Sequence, residues 1–364
     1  MKILFITRKF PPSTGGMELF AYDLSNALAT KTEVKLIKWG GTGRVKAVLV
    51  AIPYLTLRAF FALLGGKIDV IHVQDGVLAP IGYLLSRLFR KPFTVVIHGL
   101  DLTFKNRLFR AVVPWSVQRA SVVFCISQAA ADEALRQGVA TDKIQIIPLA
   151  VADKNYDKAT RASLLKELKL PDDSKILLTV GRLVKRKGVA WFILHVLPGL
   201  VERYPKLMYV VVGEGVDRPE IEEAINASNM SNHVRLLGRV SDAVAAAAYN
   251  GADVFVMPNI NVPNDVEGFG LVLLEASMCA LPVVAANTEG IKDAVTANKN
   301  GVLVGVKDTE GFRREISHFL DNPKAAQKFG QTSRAFTQMT YRWDVLADRY
   351  IEQYRKLANR DQNP

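Results

Sequence analysis

The feature that most constrains the fold of this 364-residue chain is a rhythm of short, β-branched runs alternating with helix-length amphipathic stretches. Six runs come first: 2–7 (KILFIT), 33–38 (EVKLIK), 69–73 (DVIHV), 93–98 (FTVVIH), 122–127 (VVFCIS) and 144–149 (IQIIPL). A polar stretch over 152–173 follows, and the rhythm restarts at 175–182, 207–215, 234–239, 253–258, 281–286 and 301–306. Strands that are apolar on both faces and alternate with helices belong to parallel sheets covered on both sides. Single cores stop growing near ~250–300 residues, so two series in one chain predict two domains. The expected fold class is α/β: two Rossmann-like, doubly wound parallel sheets, spanning 1–165 and 166–340, with a hinge near 152–173. Doubly wound sheets bind ligands at the carboxyl ends of their strands. Two of them facing each other would put the active site in the cleft between domains. The closing segment 341–357 has helical periodicity, and residues 341–364 are expected to cross back onto the first domain.

Composition narrows the class. Only Cys125 and Cys279 are present, each in an apolar segment, which argues against a disulfide framework and fits a reducing cytoplasm. The apolar stretch at the N-terminus is too short for a secretory signal, and no run reaches the ~18 apolar residues of a spanning helix. The net charge of +12 is lopsided: residues 1–165 carry 22 Lys/Arg against 11 Asp/Glu, and residues 166–364 carry 25 against 24. A basic half suits a polyanion, either nucleic acid or an anionic membrane leaflet. Within it, residues 43–67 are apolar apart from a few basic positions and are interrupted by Pro53 and Arg58. Either this segment packs on the sheet, or Leu55, Phe60 and Phe61 dip into lipid while Arg44, Lys46 and Arg58 meet head groups.

The chemistry-bearing residues cluster at the expected strand ends. In VPNDVEGFGLVLLEASM (262–278), Glu267 and Glu275 stand eight positions apart. Paired carboxylates suggest glycoside hydrolysis, which needs them roughly 5–9.5 Å apart. Residues 270–280 read as helical, and eight helical steps rise about 12 Å. That spacing suits a ligand with two recognition points better than one scissile bond. Gly268, Phe269 and Gly270 would open the helix, and helix N-termini bind anions. In VGRLVKRKGVAWF (180–192), Arg182 ends a strand and Lys187 opens a helix. No Walker A or GxGxxG motif is present, so these cations would neutralise a diphosphate leaving group. No acidic metal ligands cluster nearby in sequence, so no metal and no other cofactor is expected. Gly15 and Gly16 lie between a strand and a helix, where a backbone can approach a phosphate or sugar closely. His98 ends a strand and is followed by Gly99 and Asp101.

The combination of GGME, HGLD, CIS, GRLVKRKG, VGEG, VRLLGRV, EGFGLVLLE and a closing WD helix resembles the GT-B retaining glycosyltransferases of family 4, along essentially the whole chain. This group includes the phosphatidylinositol mannosyltransferases, and EGFGLVLLE matches its E-x7-E signature. The resemblance implies that Arg182 and Lys187 bind the donor diphosphate, Glu275 holds the ribose, and Glu267 with the Gly268–Gly270 amides holds the sugar. It also implies that Gly16 meets the phosphate, His98 meets the sugar near its reacting face, and the backbone of Gly238, Arg239 and Val240 cradles the base beside Gly213 and Gly215. Transfer with retention, by a front-face route, needs no protein nucleophile. The expected partners are a nucleotide-sugar donor, with GDP-mannose favoured over UDP-sugars, a lipid-linked or glycan acceptor, and an anionic membrane on the cytoplasmic face; nucleic acid is not among them. A GT-B epimerase would want further acids in the cleft and a phosphorylase a pyridoxal-binding lysine, neither of which is assignable. A basic nucleic-acid-binding protein would show a recognisable module, and none is present.

Overall fold

The computed structural model describes residues 1–13, 15–40, 45–99, 102, 107–151, 160–263 and 265–360. The chain divides into two compact units, one of residues 1–152 with 341–364, the other of residues 153–340. The division falls at 152/153 rather than at 165/166. The helix Arg161–Leu168 goes with the second unit because Arg161 donates to the carbonyls of Gly251 and Ser174 and pairs with Asp253.

The first unit contains β1 (Lys2–Thr7), β2 (Glu33–Lys38), β3 (Val70–Val73), β4 (Phe93–Ile97), β5 (Val122–Cys125) and β6 (Ile144–Ile146). They form one parallel sheet in the order β2-β1-β3-β4-β5-β6. The second unit contains β7 (Lys175–Val180), β8 (Leu207–Val212), β9 (Val234–Gly238), β10 (Val254–Met257), β11 (Val283–Ala286) and β12 (Val302–Val304). Their order is β12-β11-β10-β7-β8-β9, again all parallel. Both are doubly wound α/β sheets, as expected. Each has a point where the strand order reverses, β1/β3 in the first and β7/β10 in the second, and ligands bind beyond the carboxyl ends of strands at such points. In the first unit that point is spanned by an ion pair between Arg8 and the buried Asp75 at 2.9 Å.

The closing helix Trp343–Arg360 belongs to the first unit and is tied to it by aromatic burial and a polar core. Tyr350 and Tyr354 are buried against Phe124 and His72, and the Tyr354 hydroxyl lies 2.9 Å from His72 Nδ1. Thr94 Oγ1 approaches the same nitrogen at 3.0 Å, and Gln74 Oε1 approaches Nε2 at 2.9 Å. Burial pushes the His72 imidazole down to about 4, against the smaller opposing effect of the Gln74 hydrogen bond, so it is neutral at physiological pH.

The segment 43–67 forms the helix Val45–Leu64, which runs through Pro53. Helical spacing decides its two faces. Ala51, Leu55, Ala59 and Leu63 are buried, whereas Leu57, Phe61 and Leu64 are more than half exposed. Of the three residues expected to reach lipid, Leu55 is therefore in the core, Phe60 is half-buried with its ring on Phe89, and only Phe61 is exposed. Arg44 and the Lys46 side chain lie outside the described residues, as does Asp101. No helix of the described residues is long and apolar enough to cross a membrane.

Candidate active site

In the second unit the loops leaving β7, β8, β9 and β10 are fastened to one another through backbone. The Gly181 N–H donates to Val212 O at 2.9 Å, Leu183 N–H to Glu214 O at 3.0 Å, and Gly213 N–H to Gly238 O at 2.8 Å. Gly213 has φ 135, and a Cβ there would stand 1.8 Å from the Gly181 carbonyl oxygen. Glycine is required at 213 by this close approach of two loops and by its backbone conformation. Gly215 likewise abuts the Leu183 carbonyl, so both glycines serve loop packing whatever else they line. On the β10 side the Ile260 N–H donates to Arg186 O at 2.8 Å. This mesh fixes a single 3₁₀ turn, Lys185–Lys187, directly above the β7/β10 reversal point.

The turn carries two buried cations, Arg186 and Lys187, each drawn in by a carboxylate partner, while Lys185 stays in solvent. Lys187 Nζ meets Glu267 Oε2 at 2.7 Å. Arg186 Nε approaches the same oxygen at 3.4 Å while its Nη1 meets Asp265 Oδ1 at 2.6 Å. Asn259 Nδ2 donates to Glu267 Oε2 at 3.1 Å, and the Glu267 N–H is capped by the Glu289 carboxylate. All three side-chain donors converge on Oε2, and Oε1 has no partner among the described residues. Burial alone would push the Glu267 carboxyl up. The charges of Lys187 and Arg186 and the hydrogen bonds from Lys187 and Asn259 outweigh it and hold the group below the usual carboxylate range. Lys187 is lowered, chiefly by burial, with the Glu267 charge opposing. The two directions pull differently on the pair. The 2.7 Å contact and the converging donors favour the doubly ionised state, which we take to be the resting one. Glu289 is raised by burial and by its proximity to Glu267, partly offset by the amide it accepts from.

Arg182, two residues beyond β7, is exposed and has no hydrogen-bond or ion-pair partner among the described residues. The E-x7-E segment resolves into a loop ending at Gly270 and a helix, Leu271–Met278, somewhat shorter than expected. Phe269 is buried, and Gly268 and Gly270 flank it at the helix start. Glu275 lies half-buried on that helix, its Oε2 accepting from the Tyr249 hydroxyl at 2.9 Å. At the end of β9 Gly238 is buried, and beyond it Arg239 is exposed and Val240 is half-buried. In the first unit Gly16 opens the helix Gly16–Ala29, and a Cβ on it would meet nothing within 4 Å. His98 directly follows β4, with Nε2 3.1 Å from Gln74 O and its ring edge-on to Phe20 at 5.4 Å. Among the described residues no three His, Cys, Asp or Glu side chains are grouped so as to hold a metal ion.

Comparison with known proteins agrees with this architecture. The family described as Glycosyl transferases group 1 matches residues 160–336, and Glycosyltransferase Family 4 matches residues 14–154. The GDP-mannose-dependent alpha-(1-6)-phosphatidylinositol monomannoside mannosyltransferase of Mycobacterium tuberculosis is 27% identical over 95% of this chain and 96% of its own. Alpha-D-kanosaminyltransferase of Streptomyces kanamyceticus is 24% identical over 81% and 78%. The crystal structure of Anabaena HepE in complex with UDP-glucose superposes with a TM-score of 0.76 at 20% identity, covering 98% of this chain and all of that one. The chain is a glycosyltransferase of the GT-B fold, with a family 4 domain over residues 14–154 and a group 1 domain over residues 160–336.

In this glycosyltransferase, the sequence-expected Lys187 and Glu267 come together as a buried ion pair, while Arg182 remains open above them. Glu275 is separate from that cluster and is held by a tyrosine from the helix Asp242–Gly251. Sequence reasoning missed Arg186, Asp265, Asn259, Glu289 and Tyr249. Arg186 carried a signal that was legible only as part of a basic run. Asp265, two residues before Glu267, could have been found by asking what balances it.

Proposed function

We propose that this glycosyltransferase moves a hexose from a nucleotide sugar, GDP-mannose in preference to a UDP-sugar, to a lipid-linked acceptor with retention of configuration. The observation that carries the reading is Glu267, a buried carboxylate whose Oε2 is anchored by three donors and whose Oε1 has no partner among the described residues. Such a carboxylate is a preorganised acceptor for sugar hydroxyls rather than a general acid, since its proton affinity is held down. Lys187, with two N–H bonds beyond the one given to Glu267, and the exposed Arg182 would neutralise the diphosphate as the sugar–oxygen bond breaks. Glu275, oriented by Tyr249, would accept from the ribose hydroxyls, and Gly238–Val240 would meet the base through backbone. Gly16 and His98 are assigned to the phosphate and the sugar. In a front-face step the acceptor oxygen bonds to the anomeric carbon on the side the leaving group departs from, and its proton passes to the departing phosphate. No protein nucleophile and no metal enters this scheme. The name of the mycobacterial relative supports the choice of GDP-mannose and a phosphoinositide-type acceptor.

The same reading places the enzyme peripherally on the cytoplasmic face of an anionic membrane. Leu57, Phe61 and Leu64 on the helix Val45–Leu64, Leu84 and Leu88 on the helix Ala79–Phe89, and Trp115 on the helix Arg107–Val117 are all exposed. The first two helices touch through Phe60 and Phe89, the second and third through Tyr83 and Trp115, with the Arg119 guanidinium 3.9 Å over the Trp115 ring. Exposed apolar area rimmed by cations matches an anionic bilayer surface. The test is transfer from radiolabelled GDP-mannose or UDP-glucose into vesicles containing phosphatidylinositol or only phosphatidylcholine. Label from GDP-mannose entering the lipid fraction of the phosphatidylinositol vesicles is the expected outcome. Transfer from UDP-glucose alone, or only to a water-soluble acceptor, would overturn the donor or acceptor assignment.

A further inference from the structure

The geometry points to Arg186 as a positioning residue of the transfer reaction, which fixes one oxygen of Glu267 so that the other is the one presented to the sugar. This rests on the reading of Glu267 as the sugar-binding carboxylate. The physical case begins with the carboxylate's freedom. A glutamate held by one lysine can swing about its terminal torsion and exchange its two oxygens at little cost. Here a second and a third donor approach the same oxygen from different segments, Arg186 from the 3₁₀ turn after β7 and Asn259 from the loop after β10. Arg186 is the member that also reaches outward, its Nη1 meeting Asp265 at 2.6 Å while its Nε faces Glu267. One guanidinium thus cross-links two acids two residues apart on the loop that carries Glu267 to the start of the helix Leu271–Met278. The backbone bond from Ile260 N–H to Arg186 O fastens the other end of the same loop.

That bridge requires a planar fork. A lysine at 186 would keep the charge but has a single nitrogen, which cannot occupy the Nε and Nη1 positions at once. The charged and titratable groups facing Glu267 are Arg186 and Lys187 from the turn and Asp265 and Glu289 from its own and the neighbouring loop. Of these, only the two cations favour its ionised form. A charge-neutral residue at 186 therefore lets the carboxyl pick up a proton at higher pH.

The experiment measures kcat, donor KM and the acid side of the pH–rate profile for wild type, Glu267→Gln, Arg186→Lys, Arg186→Gln and Asp265→Asn, with the thermal shift produced by the nucleotide diphosphate as a check on folding. Arg186→Lys should lower kcat roughly 10- to 100-fold with donor KM within about twofold, the signature of misplacement rather than lost binding. Arg186→Gln should in addition move the acid limb to higher pH. Asp265→Asn, whose side chain is one-third exposed, removes the outer anchor without stranding a buried acid and should lower kcat in the same direction even if the Arg186 variants fold poorly. If Glu267→Gln transfers sugar normally, the underlying site reading fails. If Glu267→Gln is inactive while Arg186→Lys or Asp265→Asn keeps wild-type kcat, or Arg186→Gln keeps the wild-type acid limb, the role given to Arg186 is wrong.

Discussion

Replacing Lys187 with methionine tests the buried pair most sharply, because stability and activity should respond differently. Lys187 Nζ and Glu267 Oε2 are 2.7 Å apart, with the two side chains 11% and 10% exposed. Removing one partner of a buried ion pair costs about 3–5 kcal/mol, since the remaining charge is left without compensation. Arg186 and Asn259 still reach Oε2 in the variant, so the lower end, about 3 kcal/mol, applies. For a unit the size of residues 153–340, each kcal/mol moves Tm by roughly 2–4 °C, giving a fall of about 6–12 °C in that unit's transition. Adding Glu267→Gln should restore most of that loss, because the stranded charge is gone, and the two substitutions should couple by roughly 2 kcal/mol in a double-mutant cycle. Activity should not return: both variants lose the cation expected to meet the diphosphate, a loss of about 10²–10³ in kcat. Differential scanning calorimetry with a transfer assay reads both quantities. A Lys187→Met protein as stable as wild type, or a double variant less stable than the sum of the singles, would refute the reasoning.

Two further outcomes follow from other parts of the chain. His72 is held neutral in the fold down to about 4, whereas an unfolded imidazole takes up its proton near 6.5. Its folded-state pKa is depressed and its neutral form is the native one, so its contribution is complete above ~6.5 and is lost as pH falls from there towards 4. Urea unfolding at pH 7 and pH 5 should differ by about 2 kcal/mol from this group, and His72→Leu should flatten that slope. Among the glycines, Gly213→Ala should cost roughly 2–3 kcal/mol because its Cβ would strike the Gly181 carbonyl at 1.8 Å, while Gly16→Ala, with open space around its Cβ, should leave Tm nearly unchanged yet lower transfer. Equal stability losses in the two variants would sink the distinction between a glycine kept for packing and one kept for a ligand.

Most of the strands were legible because a parallel sheet buried on both faces leaves little polar alternation to blur the pattern, whereas the edge strand β2, with Glu33, Lys35 and Lys38 exposed, was legible from its alternation. Several expectations overran at the carboxyl end: 175–182 became Lys175–Val180 and 207–215 became Leu207–Val212. The surplus residues, Gly181 and Gly213 among them, leave the ladder to form the loops that carry the site, and their local hydrophobicity does not announce that departure. The E-x7-E segment was legible in residue type, and its helix start in its glycines. What local sequence could not show was pairing at a distance. Lys187 and Glu267 are 80 positions apart, and Arg186 reads as one more cation in a solvated run until its carboxylate partners draw it inward. Glu289 arrives from beyond β11, and Tyr249 from the end of a helix whose apolar face gives no hint of its hydroxyl's partner. For Leu55 the packing alternative holds: a 20-residue apolar helix has one face for the core and another for solvent, and the i, i+4 register puts Leu55 on the buried one.

The division of labour between the two glutamates is tested most directly by isothermal titration of GDP and UDP into wild type, Glu267→Ala and Glu275→Ala, paired with sugar transfer by each. Glu275→Ala should weaken binding of the free nucleotide by roughly 10-fold, the loss expected for a charge-assisted hydrogen bond. Glu267→Ala should bind nucleotide nearly as wild type does while transferring little sugar. Wild-type nucleotide affinity in Glu275→Ala, or unimpaired transfer in Glu267→Ala, would contradict the assignment of one carboxylate to the ribose and the other to the sugar.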